Sequence, residues 1–182
     1  PVKKAHKRAI EIAKAKGITV SFDPNIRLPL WDSPEACQAA VREFLPYADI
    51  VKISDNELEF ITGKDDPAEA AKLLFENGCK FFMYTKGKDG AEAFTKNVHV
   101  SMPCFPVEVV DTTGAGDSFM GSMLYSITEK GMSLEELENI DENTLKEFVK
   151  FSSLYAASTT TRKGGACSMA TMSEIKEFAK RF

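Results

Sequence analysis

The sequence predicts an α/β protein in which a mostly parallel sheet is covered by helices on both faces. Segments with strand and helix patterns alternate along the chain, which is typical of parallel sheets. The strand segments DIVKI (49–53) and KFFMYT (80–85) are mainly apolar without alternation, so we expect both faces of the sheet to be buried. The 182 residues suffice for a sizeable core, and we interpret residues 1–182 as one domain.

The first third of the chain predicts helices that alternate with strands. A basic amphipathic segment ends at Gly17, and glycine commonly ends a helix. Ser33 precedes Pro34, which favours the start of a second helix because proline is tolerated at the first helical position. In chain order we expect a helix over 3–16, a strand over 18–22, a turn over 23–25, a helix over 33–46 and a strand over 49–53.

Capping patterns and glycines define the expected helices of the middle segment. Ser54 and Glu57 have the spacing of a capping box, which predicts a short helix that ends at Gly63. In chain order we then expect a helix over 67–77, a strand over 80–85, and short strands and turns over 87–101.

The last third predicts one strand, one glycine-rich turn and several helices. Two further S/T-x-x-E patterns each predict the start of a helix. In chain order we expect a strand over 105–110, a glycine-rich turn over 111–117 that opens a helix, a capping box at Ser133 and Glu136, a second capping box at Thr144 and Glu147 with a helix to about Thr160, and a last helix from near Ser173.

Composition and charge argue against several classes of protein. The formal net charge is −4 without a basic run, so we expect no nucleic-acid partner and no membrane partner. No stretch approaches the roughly 20 apolar residues that span a bilayer. The four cysteines lack C-x-x-C spacing and the two histidines lack ligand-spaced neighbours, which favours reduced thiols in a cytoplasmic protein and disfavours zinc. The chain begins at Pro1 without Met or a signal sequence, so we interpret it as a fragment.

The segment DTTGAGD (111–117) has the residue types of a phosphoryl-transfer site. Gly114 and Gly116 leave backbone N–H groups free to approach an anion, and the helix that follows adds its positive end. Asp117 places a carboxylate beside this anion cradle, where it can accept the proton of an attacking hydroxyl. An ordinary glycine-rich turn with an aspartate near the helix start has the same residues, so the residues alone leave both interpretations open.

Five segments, in order, resemble the PfkB/ribokinase family of carbohydrate kinases, with wording closest to the fructokinase subgroup. A long and specific match is VDTTGAGDSF, which resembles the family's C-terminal signature. The resemblance implies a ribokinase-like three-layer α/β/α sandwich with a mostly parallel sheet, from which the family's N-terminal half and lid are absent. The segments are FDPNIRLPLW (22–31), KISDNELEFITG (52–63), TKGKDGA (85–91), VDTTGAGDSF (110–119) and TTTRKGGACS (159–168).

The resemblance assigns the catalytic roles to the glycine-rich turn. Asp117 matches the family's general base, which contacts the sugar substrate and deprotonates its hydroxyl. The backbone of Gly114, Ala115 and Gly116 matches the family's anion hole. Glu57 matches the glutamate that holds magnesium through water, and the capping box is the alternative interpretation of this residue.

The resemblance also implies ATP as cofactor, magnesium, and potassium as a monovalent cation. Lys86 lies beside the phosphates in this interpretation, or is simply solvated. The implied nucleotide contacts are Ser54, Thr85, Lys86, Gly87 and Gly90. The residues that match the loops around the monovalent cation are Asp111, Thr113, Thr159, Arg162, Gly164 and Ser168.

Arg27 lies near the sugar site in relatives that carry D-P-N-x-R. A guanidinium can bind a carboxylate with two bonds, which suits the acidic sugar 2-keto-3-deoxygluconate, but fructokinases carry the same arginine. We therefore predict ATP-dependent phosphorylation of a sugar hydroxyl, with fructose giving fructose 6-phosphate. The alternatives are a 2-keto-3-deoxygluconate kinase and a non-catalytic family member that binds sugar or nucleotide.

The family's N-terminal half bears on how active this segment can be. That half carries most of the sugar contacts and the lid, which is also the usual contact of a homodimer. Because phosphoryl transfer needs water excluded and the hydroxyl held in line, we expect the isolated segment to be weakly active or inactive.

Overall fold

The computed structural model describes residues 2–182, which are built around a sheet of five strands in the order β1-β2-β3-β4-β5. The strands β1, β2 and β3 are parallel, β4 is antiparallel to β3, and β5 is antiparallel to β4. Four strands therefore run in one direction and only β4 opposes them, so the expected mostly parallel sheet is confirmed. The strands are β1 (Ser21–Phe22), β2 (Ile50–Ser54), β3 (Phe81–Thr85), β4 (Ala91–Phe94) and β5 (His99–Met102).

Several of the α-helices in residues 2–182 begin at a side-chain cap. The hydroxyl of Ser33 accepts the N–H of Ala36, and Asp66 accepts the N–H of Glu69 in the same way, as side chains at the N-cap position do. The helices are α1 (Val2–Ala15), α2 (Pro34–Phe44), α3 (Asp55–Thr62), α4 (Pro67–Glu76), α5 (Ala115–Glu129), α6 (Leu134–Glu138), α7 (Glu142–Thr160) and α8 (Met172–Ala179).

The sheet lies between two layers of helices because its central strands are apolar on both faces. Phe81 and Met83 of β3 pack with residues of α5, α6 and α7. Phe82 and Tyr84 point to the opposite face and pack with residues of α2, α3 and α4. The expected three-layer α/β/α sandwich is thereby confirmed.

The first helix and the first strand lie at one edge of this sandwich. Helix α1 has no buried residue and is attached by ion pairs, with Lys14 Nζ 2.6 Å from Asp49 and Lys3 Nζ 2.6 Å from Glu43. Within residues 2–182, no strand pairs with the outer edge of β1. None of the helices in this range has the length and apolar character needed to cross a membrane.

The expectation of a strand over 105–110 is wrong. Pro106 lacks the N–H that a sheet ladder requires, and the segment pairs with no strand. Instead, the N–H groups of Val110 and Asp111 both donate to the carbonyl of Thr160, at 2.8 and 3.2 Å. The chain therefore passes from the sheet to the end of α7, and this connection positions the glycine-rich turn.

Two other expected boundaries also differ from the structure. Helix α7 begins at Glu142 because Asp141 is the N-cap and its carboxylate accepts the N–H of Thr144 at 3.0 Å, so the capping box expected at Thr144 and Glu147 is wrong. Strand β1 is shorter than the expected 18–22 because the N–H of Val20 donates to the Asp49 carboxylate at 2.8 Å.

Candidate functional site

The candidate site lies where the carboxyl ends of β1, β2 and β3 meet the start of α5. Asp23 follows β1, β2 ends at Ser54 and β3 ends at Thr85. Because the three strands are parallel neighbours, these residues lie at one edge of the sheet, which is where open α/β sheets bind ligands. The side chain of Lys52 in β2 extends from this edge to Gly116 in the first turn of α5.

Lys52 is a site residue that sequence reasoning missed. It is only 6% exposed, and its Nζ lies 3.0 Å from Asp23 Oδ2. The same Nζ lies 3.0 Å from the position that a Cβ on Gly116 would occupy, so it faces the first turn of α5. A buried ammonium beside the positive end of a helix suits an anion that neutralises both. The available signal was a lysine inside the otherwise apolar segment DIVKI.

Asp23 is the counter-ion of Lys52 and has an unusual environment. Burial raises the pKa of Asp23 above its ordinary value, Lys52 lowers it, and the carboxylates of Glu57 and Asp117 raise it further. Among residues 2–182, no group donates a hydrogen bond to the buried Oδ1 of Asp23. An unpaired buried acceptor costs free energy, so this oxygen is available to a donor on a bound ligand or water.

The glycine-rich turn delivers Asp117 to the same place. Gly114 has φ +81° and is the N-cap of α5, a left-handed conformation that favours glycine. A Cβ on Gly114 would also lie 3.3 Å from Gly165 Cα, so the turn packs closely on the loop after α7. Asp117 stands exposed in the first turn of α5, beside first-turn N–H groups that have no partner within the helix.

Glu57 joins two loops of the site. Its Oε2 accepts the backbone N–H of Ser54 at 3.0 Å and the Ser54 hydroxyl at 2.6 Å, which confirms the capping interpretation. Its Oε1 accepts the N–H of Ile26 at 2.7 Å and so fixes the loop after β1. Burial opposes ionisation of Glu57, but the bonds from Ser54 and Ile26 and the charge of Lys52 hold its pKa below the ordinary value.

Asp111 connects the glycine-rich turn to the loop over 161–168. One carboxylate oxygen accepts the N–H of Thr113 at 2.9 Å, and the other accepts the N–H of Gly164 at 2.9 Å. These two bonds, from Thr113 first and then Gly164, lower the pKa of Asp111 from 3.8 to about 2. The structure therefore brings together three of the residues predicted to surround a monovalent cation.

The other residues of that predicted set occupy different positions. Thr159 is buried and its hydroxyl donates to the carbonyl of Tyr155, while the buried Ser168 donates to the carbonyl of Gly165. Arg162 instead pairs at 3.0 Å with Glu174, which lies in the first turn of α8. Across residues 2–182 there is no group of three or more His, Cys, Asp or Glu side chains that could hold a metal ion on their own.

The predicted nucleotide residues form the turn between β3 and β4. Thr85 ends β3, and Gly87 and Gly90 have φ +53° and +93°. The N–H of Lys86 donates to the carbonyl of Gly90 at 2.8 Å and closes the turn. The Lys86 ammonium is paired with Glu92 at 2.6 Å, so it is not simply solvated.

Arg27 lies in the loop that Glu57 fixes. Its guanidinium donates to the carbonyl of Ile26 at 3.0 Å, and the residue is exposed. Asn25 has φ +48°, a left-handed conformation that turns the chain towards Arg27. In residues 2–182, no carboxylate lies within ion-pair distance of this guanidinium.

Comparison with known proteins identifies the family of this chain. Residues 2–172 match the family of pfkB family carbohydrate kinases. A probable fructokinase-2 from Arabidopsis thaliana is 41% identical over 99% of this chain and 54% of its own length. The chain thus spans about half the length of such curated relatives.

Solved structures show the same fold with ligands bound. A putative ribokinase II from E. coli, in complex with ATP and Mg²⁺, has a TM-score of 0.81 and 30% identity over 98% of this chain and 54% of its own. A double mutant of the fructokinase from Vibrio cholerae O395, with fructose, ADP and potassium bound, has a TM-score of 0.86 and 30% identity over 98% of this chain and 56% of its own.

Proposed function

The chain belongs to the pfkB family of carbohydrate kinases, and from this we propose that the intact protein transfers phosphate from ATP to a sugar hydroxyl, with fructose converted to fructose 6-phosphate. The observation that carries the proposal is the meeting of Lys52, the first turn of α5 and Asp117 at one edge of the sheet. This arrangement combines positive charge for a phosphate with a carboxylate for a proton.

The chemistry follows from the charges at this edge. The Lys52 ammonium and the N–H groups of Gly114 and Gly116 would neutralise negative charge that develops on the transferring phosphate. The N–H of Ala115 donates to the carbonyl of Thr112 at 3.2 Å, so its part in the anion hole requires that this bond open. Asp117 is exposed to an incoming substrate and would accept the proton of the attacking sugar hydroxyl. The hydroxyl oxygen then forms the new bond to phosphorus while the bond to ADP breaks.

ATP would lie along the turn between β3 and β4, with contacts from Thr85, Gly87, Gly90 and Ser54. Both carboxylate oxygens of Glu57 already accept hydrogen bonds, which fits a magnesium ion held through water better than one held directly. When bound, that ion neutralises charge on the phosphate oxygens of ATP.

A potassium site would lie between the glycine-rich turn and the loop over 161–168. Asp111 already joins these two loops through Thr113 and Gly164, so the oxygen atoms of this region are held in place. Thr159, just before the loop over 161–168, and Ser168, at its end, are both buried. Arg162 instead pairs with Glu174, so it would hold the loop against α8 and would not contact the ion.

A second candidate substrate is 2-keto-3-deoxygluconate. The guanidinium of Arg27 has no carboxylate partner within residues 2–182, and it could form two bonds with the carboxylate of such a sugar. Fructose and this keto acid therefore differ in what they would require of Arg27.

The test is ADP release by the intact protein with ATP and magnesium, against fructose, 2-keto-3-deoxygluconate and ribose. We expect fructose to be preferred, and Asp117→Asn to lower kcat by about a hundredfold or more, because a general base contributes roughly 10²–10⁴-fold. Asp65→Asn, an exposed carboxylate before α4, is the matched control. Activity of Asp117→Asn equal to that of the control would overturn the catalytic assignment, and a preference for the keto acid would replace fructose as substrate.

A further inference from the structure

Three polar side chains, Lys86 just after β3, Glu92 of β4 and His99 of β5, form a connected row. Glu92 of β4 accepts a hydrogen bond from Lys86 Nζ on one oxygen, at 2.6 Å. Its other oxygen lies 2.7 Å from His99 Nε2. The side chain of Glu92 is only 12% exposed, so both of its oxygens are used within the protein.

Glu92 is itself held rigidly. It lies in the interior of β4, opposite Tyr84 of β3 and Ser101 of β5. His99, which holds its second oxygen, stacks on the buried ring of Phe94 with 4.2 Å between centroids and 6° between planes. A strand and a stacked ring therefore fix this carboxylate in place.

Lys86 is the residue at which the chain leaves β3 and enters the turn between β3 and β4 (residues 86–90). The backbone of Lys86 closes the turn onto Gly90, and its side chain reaches past the turn to the strand that follows. The lysine is therefore tied at both its backbone and its ammonium. A side chain held in this way stabilises the conformation of the turn, and its ammonium is not available to bind a phosphate.

We propose that Glu92 is a positioning residue for the turn over residues 86–90, here called the nucleotide turn. In this proposal Lys86 is the tether that ties the turn to Glu92, and it is not a phosphate ligand. This inference rests on the proposed function, since it concerns the turn that would bind ATP. The tether sets the backbone of Gly87 to Gly90 in the conformation that the nucleotide contacts. Its loss would weaken the binding of any ligand on that turn, whether or not the ligand carries phosphate.

The experiment measures binding of MgADP and of adenosine to this 182-residue chain by calorimetry. The variants are Lys86→Met, Glu92→Gln and the double variant, and adenosine is the probe without phosphate. The matched control is Glu138→Gln, because Glu138 pairs with Lys80 at the opposite end of β3, at 3.0 Å. Removing that pair tests the general effect of losing a lysine–glutamate pair beside β3.

We expect Lys86→Met and Glu92→Gln each to raise the Kd of ADP and of adenosine by the same factor, roughly three- to tenfold for a partly buried ion pair. The double variant should be no worse than either single variant, because both changes break one interaction. Glu138→Gln should leave both constants unchanged.

Two outcomes would overturn the inference in distinguishable ways. If Lys86→Met weakens ADP but not adenosine, and Glu92→Gln weakens neither, Lys86 is a phosphate ligand and the tether does not exist. If the unmodified chain binds neither ADP nor adenosine, the nucleotide role of the turn is wrong, and the positioning role falls with it.

Discussion

Lys52 is a buried charge for which two roles are expected. Its ammonium is paired with Asp23 and faces the first turn of α5, so we expect it to contribute both to stability and to the proposed binding of an anion. These two contributions can be separated, because removing one member of a buried ion pair leaves the other charge uncompensated, whereas removing both does not.

We predict that Lys52→Met lowers the free energy of unfolding by about 3 kcal/mol, and that adding Asp23→Asn restores most of it. Both the single and the double variant should lose about tenfold or more in affinity for a non-hydrolysable ATP analogue, because a charge-assisted contact to the transferring phosphate is gone. Urea unfolding and calorimetry check the two effects. An analogue affinity that recovers together with stability would show that Lys52 acts only on the fold.

Asp111 makes a prediction about pH. Its pKa is about 2 in the folded chain against 3.8 ordinarily, so its bonds to Thr113 and Gly164 require the ionised form. Because the folded pKa is depressed, the stabilisation is fully present above pH 3.8 and is lost as the pH falls towards 2.

Asp111→Asn should therefore lower the melting temperature at pH 7, and this difference should shrink as the pH falls from 3.8 towards 2. Melting curves of both proteins across this range make the measurement. Asp65→Asn, which removes an exposed carboxylate elsewhere, serves as the control. A difference that stayed constant down to the lowest pH would contradict the assigned role of the ionised carboxylate.

At the scale of elements, the turn between β3 and β4 depends on Gly90. This residue has φ +93°, and a Cβ there would overlap the carbonyl oxygen of Met102 and crowd the backbone of Cys104. We predict that Gly90→Ala lowers the free energy of unfolding by about 3 kcal/mol or more, from backbone strain and overpacking together.

Gly121 provides the matched control for that change. It lies inside α5 with open space around its Cβ position. Gly121→Ala should raise the free energy of unfolding by about 0.5–1 kcal/mol, because alanine is the better helix former. Urea unfolding distinguishes the two variants, and a Gly90→Ala protein as stable as Gly121→Ala would show that the turn relaxes without cost.

The sequence was most informative about elements that contain their own signals. The apolar segment 80–85 and the cap at Ser33 predicted a buried strand and a helix start, because both signals are local. The expected strand over 105–110 failed because pairing depends on a partner strand, and Thr160 supplies the hydrogen-bond acceptor there instead.

The residues of the candidate site show the same difference between local signals and contacts that depend on distant parts of the chain. The glycine-rich turn and Asp117 could be predicted, since adjacent residues carry that signal. Lys52 was missed because its role depends on Gly116, which is distant in the chain. The row of Lys86, Glu92 and His99 was missed because the register of β4 and β5 decides which side chains meet.

At the scale of the whole molecule, β1 is an edge strand that is paired on one side only within residues 2–182. Within residues 2–182, the outer edge of β1 has no partner and α1 buries no residue. The curated relatives are about twice as long as the part that this chain matches.

We predict that this chain alone binds MgADP but releases ADP from ATP and fructose at least about a hundredfold more slowly than a full-length relative, because the hydroxyl is not held in line. Adding the N-terminal half of the Arabidopsis relative in trans should raise the rate, and Asp117→Asn in this chain should abolish the gain. A chain that turns over as fast as a full-length relative would show that residues 1–182 hold a complete site.

The reversed direction of β4 bears on the order in which the molecule folds. The strands β3, β4 and β5 follow one another through the short connections 86–90 and 95–98, so their pairing needs little loop closure. The parallel pairs of β1 with β2 and of β2 with β3 must instead wait for whole helices to be inserted between them. The turn between β3 and β4 therefore belongs to the segment that can form first, whereas Lys52 and Asp23 meet only when β1 pairs with β2.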